Sequence, residues 1–405
     1  MPTGRTRTLF LAALVFYLFA NQTQVGWLYV MSALLLGVIP AAWWLNRAAL
    51  KGVTTKWVLD SSGEVYEGDE IEISLTFEKA LRPATAQVQA EATCPLAEPG
   101  SPQHKSRLFI PTLAPHQALT YAFTCTVYRR GLHEFPPVRL SCRVPFGLFT
   151  RSHEFAAPER VLVYPEVRKL HTLELLDKRL APQMPRQQAG VGYEALGVRP
   201  YRTGDSPRHI HWRSVARHGQ LISKEFADET QPGLTLVLDL YRHDYSAAAD
   251  KHTPFEWAVK CAASIGDYAQ QRGYPSHVLA DSDVLALPPM PISESGLLQY
   301  LARVEATGKE RLSSVIANQP MQAYMAVLLP WPDLTILDAL IEIHGRRTEL
   351  LCAVLDPASF PQAGPSAAPL YDALRSAGID ARLVQFGEDW THQISGELIR
   401  AEARS

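Results

Sequence analysis

At 405 residues the chain is too long for one ordinary core, and 47% hydrophobic with 20% charged residues is a globular balance for two or three domains. The net charge of −2 says little about partners. The basic residues gather in one short segment and do not track along a face with interleaved stacking aromatics, so no nucleic-acid partner is indicated.

Val25 to Leu45 carries Ser32 as its only polar side chain over 21 residues, a length that reaches about 30 Å as a helix and crosses a bilayer. Leu9 to Ala20 is wholly apolar but shorter, and must borrow Thr8 and Asn21 to Gln24 to cross. The pair reads as a transmembrane α-hairpin over residues 1–50. Arg5 and Arg7 precede it and Arg47, Lys51 and Lys56 follow, which places both ends, and the soluble domains, on the cytoplasmic side of an inner or plasma membrane. A cleaved signal peptide ending at Ala20 would set Leu18 where a small residue is needed. Trp27, Trp43 and Trp44 sit near the ends of the second segment, where amphipathic rings favour the interface.

Residues 55–166 read as a β-sandwich of immunoglobulin-like appearance. Glu70 to Glu78 and Leu119 to Val127 alternate polar with apolar residues, the mark of strands with one buried face. Further strands are expected around Val88 to Cys94, Val138 to Cys142 and Val161 to Tyr164, separated by turns rich in Pro and Gly. Arg129-Arg130-Gly131 and Pro145 to Phe149 fall at its loops, with corner packing as their expected role. The five cysteines show no close pair of metal-ligand spacing and read as small buried hydrophobes in a reducing compartment.

Residues 167–232 form a connector followed by the most particular segment of the chain. Pro182, Pro185, Gly190 and Gly192 break any periodicity up to Leu196. Arg199, Arg202, Arg208, Arg213 and Arg217 then crowd against a single acid, Asp205, with Tyr201, Trp212 and three histidines among them. Gly204-Asp205 before Ser206-Pro207 is turn chemistry able to aim the guanidinium forks. Two roles stay open: an internal clamp, with Asp205 pairing arginines and Ile210 and Trp212 packed inward, or a docking surface for a phosphate or an acidic partner.

The run from Arg199 to Asp205, then Arg208 to Ser214, then Ala216-Arg217 and Leu221, resembles the signature of the prokaryotic domain of unknown function 58 family. The resemblance extends upstream to Arg130-Gly131, Pro145 to Phe149 and Val163 to Pro165. It implies a membrane anchor, a β-rich domain, the signature and a von Willebrand A-like domain. It also implies two partners, a MoxR-type AAA+ ATPase and a membrane-bound transglutaminase-like protein. The family's activity is not established, so the resemblance leaves the function open.

From residue 233 to 405, strand-like and helix-like runs alternate: Leu234 to Leu240, Phe255 to Gln271, His277 to Ala280, Gly296 to Val304, Ala323 to Leu329, Leu334 to His344, Leu350 to Leu355, Leu370 to Ala377 and Arg382 to Phe386. This is the rhythm of an open, mostly parallel α/β sheet, in which ligands sit beyond the carboxyl ends of the strands. Asp239, Asp281, Asp283, Asp333 and Asp356 occupy those ends, Asp333 in position to cap the following helix. A Mg²⁺-binding von Willebrand A-like domain uses an Asp-x-Ser-x-Ser turn there, because the hard cation wants oxygen ligands. Here the turn reads Asp239-Leu240-Tyr241-Arg242-His243, so only Asp239 retains the ligand type and no metal or other cofactor is expected.

Phosphate loops, dinucleotide fingerprints, nucleophile elbows and HExxH are all missing from the sequence. His209 and His211, at spacing two, lack a set of companions for zinc. The reading is a non-enzymatic, membrane-anchored adaptor working with the AAA+ ATPase on protein complexes. The alternatives are a ligand- or metal-binding sensor using the α/β strand ends, and an enzyme acting on an anionic substrate held by the arginines.

Overall fold

The computed structural model of the protein describes residues 2–60, 63–82, 84–177, 189–200, 211–227, 233–241, 250–282, 285–287, 291–317, 322–346 and 348–395. The chain divides into two units, Met1–Glu166 with Leu301–Arg303, and Val167–Tyr300 with Val304–Ser405.

The first unit begins with the expected pair of apolar helices, α1 (Gly4–Thr23) and α2 (Gly26–Ala49). Gln24, left-handed at φ 55°, closes α1 by donating its N–H to Ala20 O, and Val25 leads directly into α2. Small residues let the helices approach: Ala13, Ala20, Ser32 and Ala42 are buried, and Ser32 Oγ donates to Ala13 O at 2.9 Å. The outer surfaces stay apolar and exposed, as at Leu11, Leu18, Trp27 and Leu34. Among the described residues α2 alone is long and apolar enough to cross a membrane, with a mean hydropathy of 1.8. In α1 the polar last turn dilutes that character.

Ten strands follow: β1 (Val53–Asp60), β2 (Val65–Tyr66), β3 (Glu70–Lys79), β4 (Thr85–Thr93), β5 (Lys105–Leu113), β6 (Ala118–Thr126), β7 (Gly131–Glu134), β8 (Val138–Cys142), β9 (Arg151–Phe155) and β10 (Arg160–Tyr164). They form three sheets, ordered β1-β3-β6, β5-β4-β8-β9 and β2-β10-β7. In β3 the inward residues Ile71, Ile73, Leu75 and Phe77 are buried as the alternation requires, and they join Trp57, Val88, Ile110 and Leu140 from the other strands in one core. Cys94 and Cys125, distant in sequence, meet in this core through a thiol–thiol hydrogen bond, and that bond together with burial pushes the Cys125 thiol up. All five cysteines are buried and unbridged.

The hairpin is tied to the strands by buried polar groups. Lys79 reaches from β3 to Ala49 O at the end of α2 and to Thr85 Oγ1, and Thr85 Oγ1 donates to the same carbonyl. Burial lowers the Lys79 pKa below its usual range. Asn46 Nδ2 donates to Val144 O at 2.9 Å and Phe149 O at 3.2 Å, while Thr3 N–H donates to Leu148 O at 2.9 Å and Thr3 Oγ1 to Gly147 O at 2.7 Å. Gly147 has φ +69°, a conformation that favours glycine, and a Cβ there would lie 3.0 Å from the movable Arg5 Nη1, so it is the backbone rather than space that asks for glycine.

The second unit holds the parallel sheet anticipated from the βα rhythm. Its strands are β13 (Leu234–Leu238), β14 (Ser276–Leu279), β15 (Tyr324–Leu329), β16 (Glu349–Leu355) and β17 (Asp380–Val384), in the order β14-β13-β15-β16-β17 with every pairing parallel. Every residue of β13 and β15 is buried, as a sheet covered on both faces demands. The helices are α5 (Pro254–Gln271), α6 (Glu294–Arg303), α7 (Leu312–Ala317), α8 (Leu337–Gly345), α9 (Ala368–Ser376) and α10 (Trp390–Ser395). Leu340, Ile343, Leu370 and Leu374 pack with Met325, Val327 and Val354 on one face. On the other, Gly266 of α5 passes so close to Leu236 and Leu297 that a Cβ would lie 2.2 Å from Leu297 Cδ2.

The stretch before this sheet departs from the expected structureless connector. Leu170, Leu173, Leu175 and Leu176 are buried around α3 (Glu174–Asp177). Tyr268 Oη donates to Asp177 Oδ2 at 2.8 Å, and Arg272 Nη1 reaches Asp177 Oδ1 at 2.8 Å. Burial, then the Asp177 carboxylate, pushes the Tyr268 phenol up to about 12. Residues 189–200 form β11 (Ala189–Pro200), antiparallel to β12 (Ile222–Ala227) with two register shifts. The apolar Leu-x-x-Leu-x-Leu-Leu spacing from Leu170 supplies the buried face that the Pro and Gly further on obscured. Pro182 and Pro185 lie outside the described residues.

Asn46→Ala leaves the Val144 and Phe149 carbonyls short of a donor in a buried seam. The expected loss is about 1–3 kcal/mol of stability, measured by thermal unfolding of the detergent-solubilised full chain; an unchanged melt would show that the seam does not hold the hairpin.

Candidate functional site

Two places bring together the residues that the sequence marks. The first is the arginine-rich segment. Arg199 lies in β11 opposite Ser223, and helix α4 (Trp212–His218) carries Trp212, Arg213 and Arg217. Tyr201, Arg202, Gly204, Asp205 and Arg208 lie outside the described residues, as do His209 and Ile210.

Of the two roles left open, the clamp packs Trp212 inward; in the structure its side chain is 65% exposed. The reason is helical phase. His211 and Val215, four residues apart, are the half-buried pair, whereas Trp212 and Ala216 lie one step further round and are exposed. Arg217 and Leu221 are exposed too, so an indole, a guanidinium and a leucine stand in solvent within ten residues. An exposed indole and an exposed guanidinium on one short helix are the composition of interface anchors and not of a core.

The second place is the carboxyl edge of the parallel sheet, where β13 sits between β14 and β15 and the strand order reverses. Asp239 follows β13 and is buried; its Oδ1 accepts the Tyr241 N–H at 3.0 Å. Asp281 follows β14, and its Oδ2 accepts the N–H groups of Lys309 at 3.0 Å and Glu310 at 2.8 Å. Gly308 N–H donates to Leu240 O at 2.8 Å, and a Cβ on Gly308 would lie 2.8 Å from Asp281 O and 2.9 Å from Leu240 O. Only glycine lets this loop approach both strand ends.

Asp333 follows β15 and caps the turn from Leu334, as expected, its Oδ1 accepting from Thr335 N–H at 3.0 Å. Arg311 Nη1 donates to Asp333 Oδ2 at 3.0 Å, with the guanidinium 5.8 Å from the Tyr241 ring centroid. Asp356 follows β16 and accepts from Ala367 N–H at 2.9 Å and Gln385 Nε2 at 3.4 Å. Asp283 and His243 lie outside the described residues. These carboxylates bind backbone N–H groups and guanidinium, and so fasten loops to strand ends.

The donor set does not fit the octahedral oxygen cage of a Mg²⁺ turn. Asp239 supplies one carboxylate, Tyr241 stands where the first hydroxyl belongs, and among the described residues no three His, Cys, Asp or Glu side chains converge.

Sequence reasoning missed a third cluster. Trp390 stacks under Arg168, whose guanidinium carbon is 3.9 Å from the ring centroid, and meets Trp257 at 5.4 Å. Arg168 also pairs with Asp389 at 3.3 Å. Burial alone would raise the Asp389 carboxyl, but the Thr391 N–H and hydroxyl, with Arg168, outweigh it and hold the group below its ordinary value.

Residues 197–323 match the family model described as "Protein of unknown function DUF58", the family that the signature resembles. A curated relative, "Uncharacterized protein YeaD" of Bacillus subtilis (strain 168), is 26% identical over 156 residues, covering 37% of this chain and 36% of its own length. The chain therefore spans about a third of that relative. Among solved structures, Spo0M, a sporulation control protein from Bacillus subtilis, is 13% identical over 28% of this chain and 50% of its own, with a TM-score of 0.16. An exo-β-N-acetylglucosaminidase of Vibrio harveyi is 11% identical over 80% and 60%, at 0.21. Such scores establish no shared fold.

Two measurements check this geometry. Gly308→Val forces the loop off Leu240 and Asp281 and is expected to lower stability by about 1–3 kcal/mol, read as a denaturation midpoint against wild type; an unmoved midpoint would mean that the loop is not held there. Because the Asp389 carboxyl is depressed in the folded state, its contribution is present above the ordinary value near 3.8 and is lost as pH falls through the folded value. The gap in melting temperature between wild type and Asp389→Asn should therefore be present at pH 6 and shrink below pH about 4; a gap that does not vary with pH would overturn the ionic account.

Proposed function

We propose that this protein is a membrane-anchored, non-enzymatic adaptor that docks a partner through the arginine-rich segment. The observation carrying the reading is Trp212, a large aromatic standing 65% exposed on the short helix that also carries an exposed Arg217, inside the family-matched residues. An indole and a guanidinium are among the side chains that most often dominate association energy, and the indole is an apolar surface that gains by leaving water. The partner has an acidic face, since the segment from Arg199 to Arg217 holds five arginines against one aspartate.

The family resemblance supplies the partner class, a MoxR-type AAA+ ATPase, and a transglutaminase-like membrane protein as a further member of the assembly. The anchor is the α1–α2 hairpin, and the cationic residues flanking it favour a cytoplasmic placement of the rest. In this reading the strands of the first unit make an immunoglobulin-like sandwich. The second unit is a degenerate von Willebrand A-like domain whose strand-end carboxylates have passed from ligand binding to holding loops.

The test is co-purification of full-length wild type, Trp212→Ala and Arg217→Glu with the AAA+ ATPase of the same cell. Both surface substitutions should leave the melt within about 0.5 kcal/mol of wild type. Each should weaken capture by tenfold or more, about 1.4 kcal/mol. Undiminished capture by both variants would refute docking at this surface, and no capture by wild type would refute the ATPase partnership.

A further inference from the structure

The motif from Pro145 to Phe149 stands in the sequence without a task beyond corner packing. In the structure it is the place where the β-strands meet the open end of the helical hairpin. Its flanking carbonyls bind the helices: Val144 O and Phe149 O accept from Asn46 in the last turn of α2, and Gly147 O and Leu148 O accept from Thr3 just before α1. Thr6 Oγ1 also donates to Leu148 O. If α2 spans a bilayer, that end of the hairpin lies at the membrane surface, and the loop lies there with it. Phe146 is two residues from the Asn46-bonded Val144, about 8 Å along the chain at most.

At this point the chain holds a phenylalanine out of its own core. Phe146 is 73% exposed and sits at φ 57°, a left-handed conformation uncommon for a bulky side chain. The cost of that backbone and the exposed ring are offset if the ring leaves water. Trp43 and Trp44, 50% and 65% exposed, lie one turn or less before Asn46 and are side chains of the interfacial belt. The surrounding charge is mostly of one sign. Arg5, Arg7, Arg47, Lys51, Arg143 and Arg151 are exposed in the segments that meet here, no acid occurs before Asp60 and none between Leu140 and His153, and Glu78, opposite Thr54 on β3, is an exposed acid near the end of α2.

We propose that the loop from Arg143 to Phe149 is a bilayer-docking element: Phe146 enters the interfacial region beside the emerging hairpin, and the surrounding cations bind anionic phospholipid headgroups. The inference rests on the membrane reading given above. The apolar outer surface of α1 and α2 is continuous with the loop through its bonds to both helix ends, and the cationic collar complements phosphate-bearing lipid. The docking orients the first unit on the membrane by a second contact besides the span.

The five native cysteines are buried, so a single introduced thiol can be labelled. Full-length Phe146→Cys carrying an environment-sensitive nitrobenzoxadiazole is reconstituted into phosphatidylcholine vesicles with and without phosphatidylglycerol. Lys105→Cys is the control: it lies on β5 opposite Thr93, eight residues and roughly 27 Å along β4 from Thr85, which binds the end of α2. The probe at position 146 should be blue-shifted and several-fold protected from aqueous iodide relative to the probe at 105, more so with phosphatidylglycerol. Equal iodide quenching at both positions in vesicle-inserted protein would overturn the docking. Equal protection with and without the anionic lipid would overturn the headgroup assignment. Protection in native membranes but not in pure lipid would replace the bilayer by a membrane protein. Failure of the chain to enter vesicles at all would overturn the anchor reading itself.

Discussion

Where a helical hairpin leaves an apolar phase and meets a β-unit, its terminal carbonyls lose intrahelical partners, and the junction also removes them from water. Each orphan must find a donor or cost on the order of 1–3 kcal/mol. Here the donors come from the strands and from the helix ends: Lys79 and Thr85 converge on Ala49 O, and Thr3 and Asn46 satisfy the loop after β8. The ammonium of Lys79 also stands at the negative end of the α2 dipole. Burial lowers its pKa, and the bonds to Ala49 O and Thr85 Oγ1 satisfy the buried nitrogen. β3 and β4 are thereby fixed to the hairpin, and the core that they line inherits its orientation from a handful of polar contacts.

The second unit solves a different problem. A parallel sheet buried on both faces has few polar side chains along its inner strands, so most polar obligations fall at the strand ends. Asp239, Asp281, Asp333 and Asp356 occupy those ends, and each accepts from backbone N–H groups of the loop that must be held over the sheet. The closest approach is made by Gly308, wedged between Leu240 and Asp281. Among the described residues these strand-end carboxylates are committed to loops, whereas Trp212 and Arg217 stand exposed outside the sheet.

What could be read from the chain follows from how local each signal is. The strict alternation of Glu70 to Glu78 and the apolar runs from Leu234 and Tyr324 marked β3, β13 and β15, because burial on one face or on two writes itself into adjacent residues. β1 and β5 escaped notice because inward Thr55 and Ser106, outward Phe109 and Pro111 spoil the pattern. At the candidate site the residue types were legible but not their fates. That Asp281 would bind the backbone of Lys309 and Glu310 depends on a loop 28 residues away, and that Trp212 would face outward depends on the phase of a seven-residue helix.

The distribution of charge joins the two ends of the molecule's chemistry. A chain at −2 that spends its first 59 residues on five cations and no acid, and then places five arginines between Arg199 and Arg217, must carry its acidic excess elsewhere. Such segregation is unfavourable within a folded chain unless each basic patch faces something negative, and at physiological salt the field of one patch fades within about 8 Å. The two patches therefore act locally and independently. In the proposed readings the flanks of the hairpin would meet anionic headgroups, at a loop bearing an exposed phenylalanine, and the signature would meet an acidic protein face, with an indole as the apolar anchor that charge alone lacks. Pairing an aromatic with a cationic surround in both places matches the physics of attachment at a wet boundary, since the charge raises the encounter rate and the ring, once desolvated, slows departure.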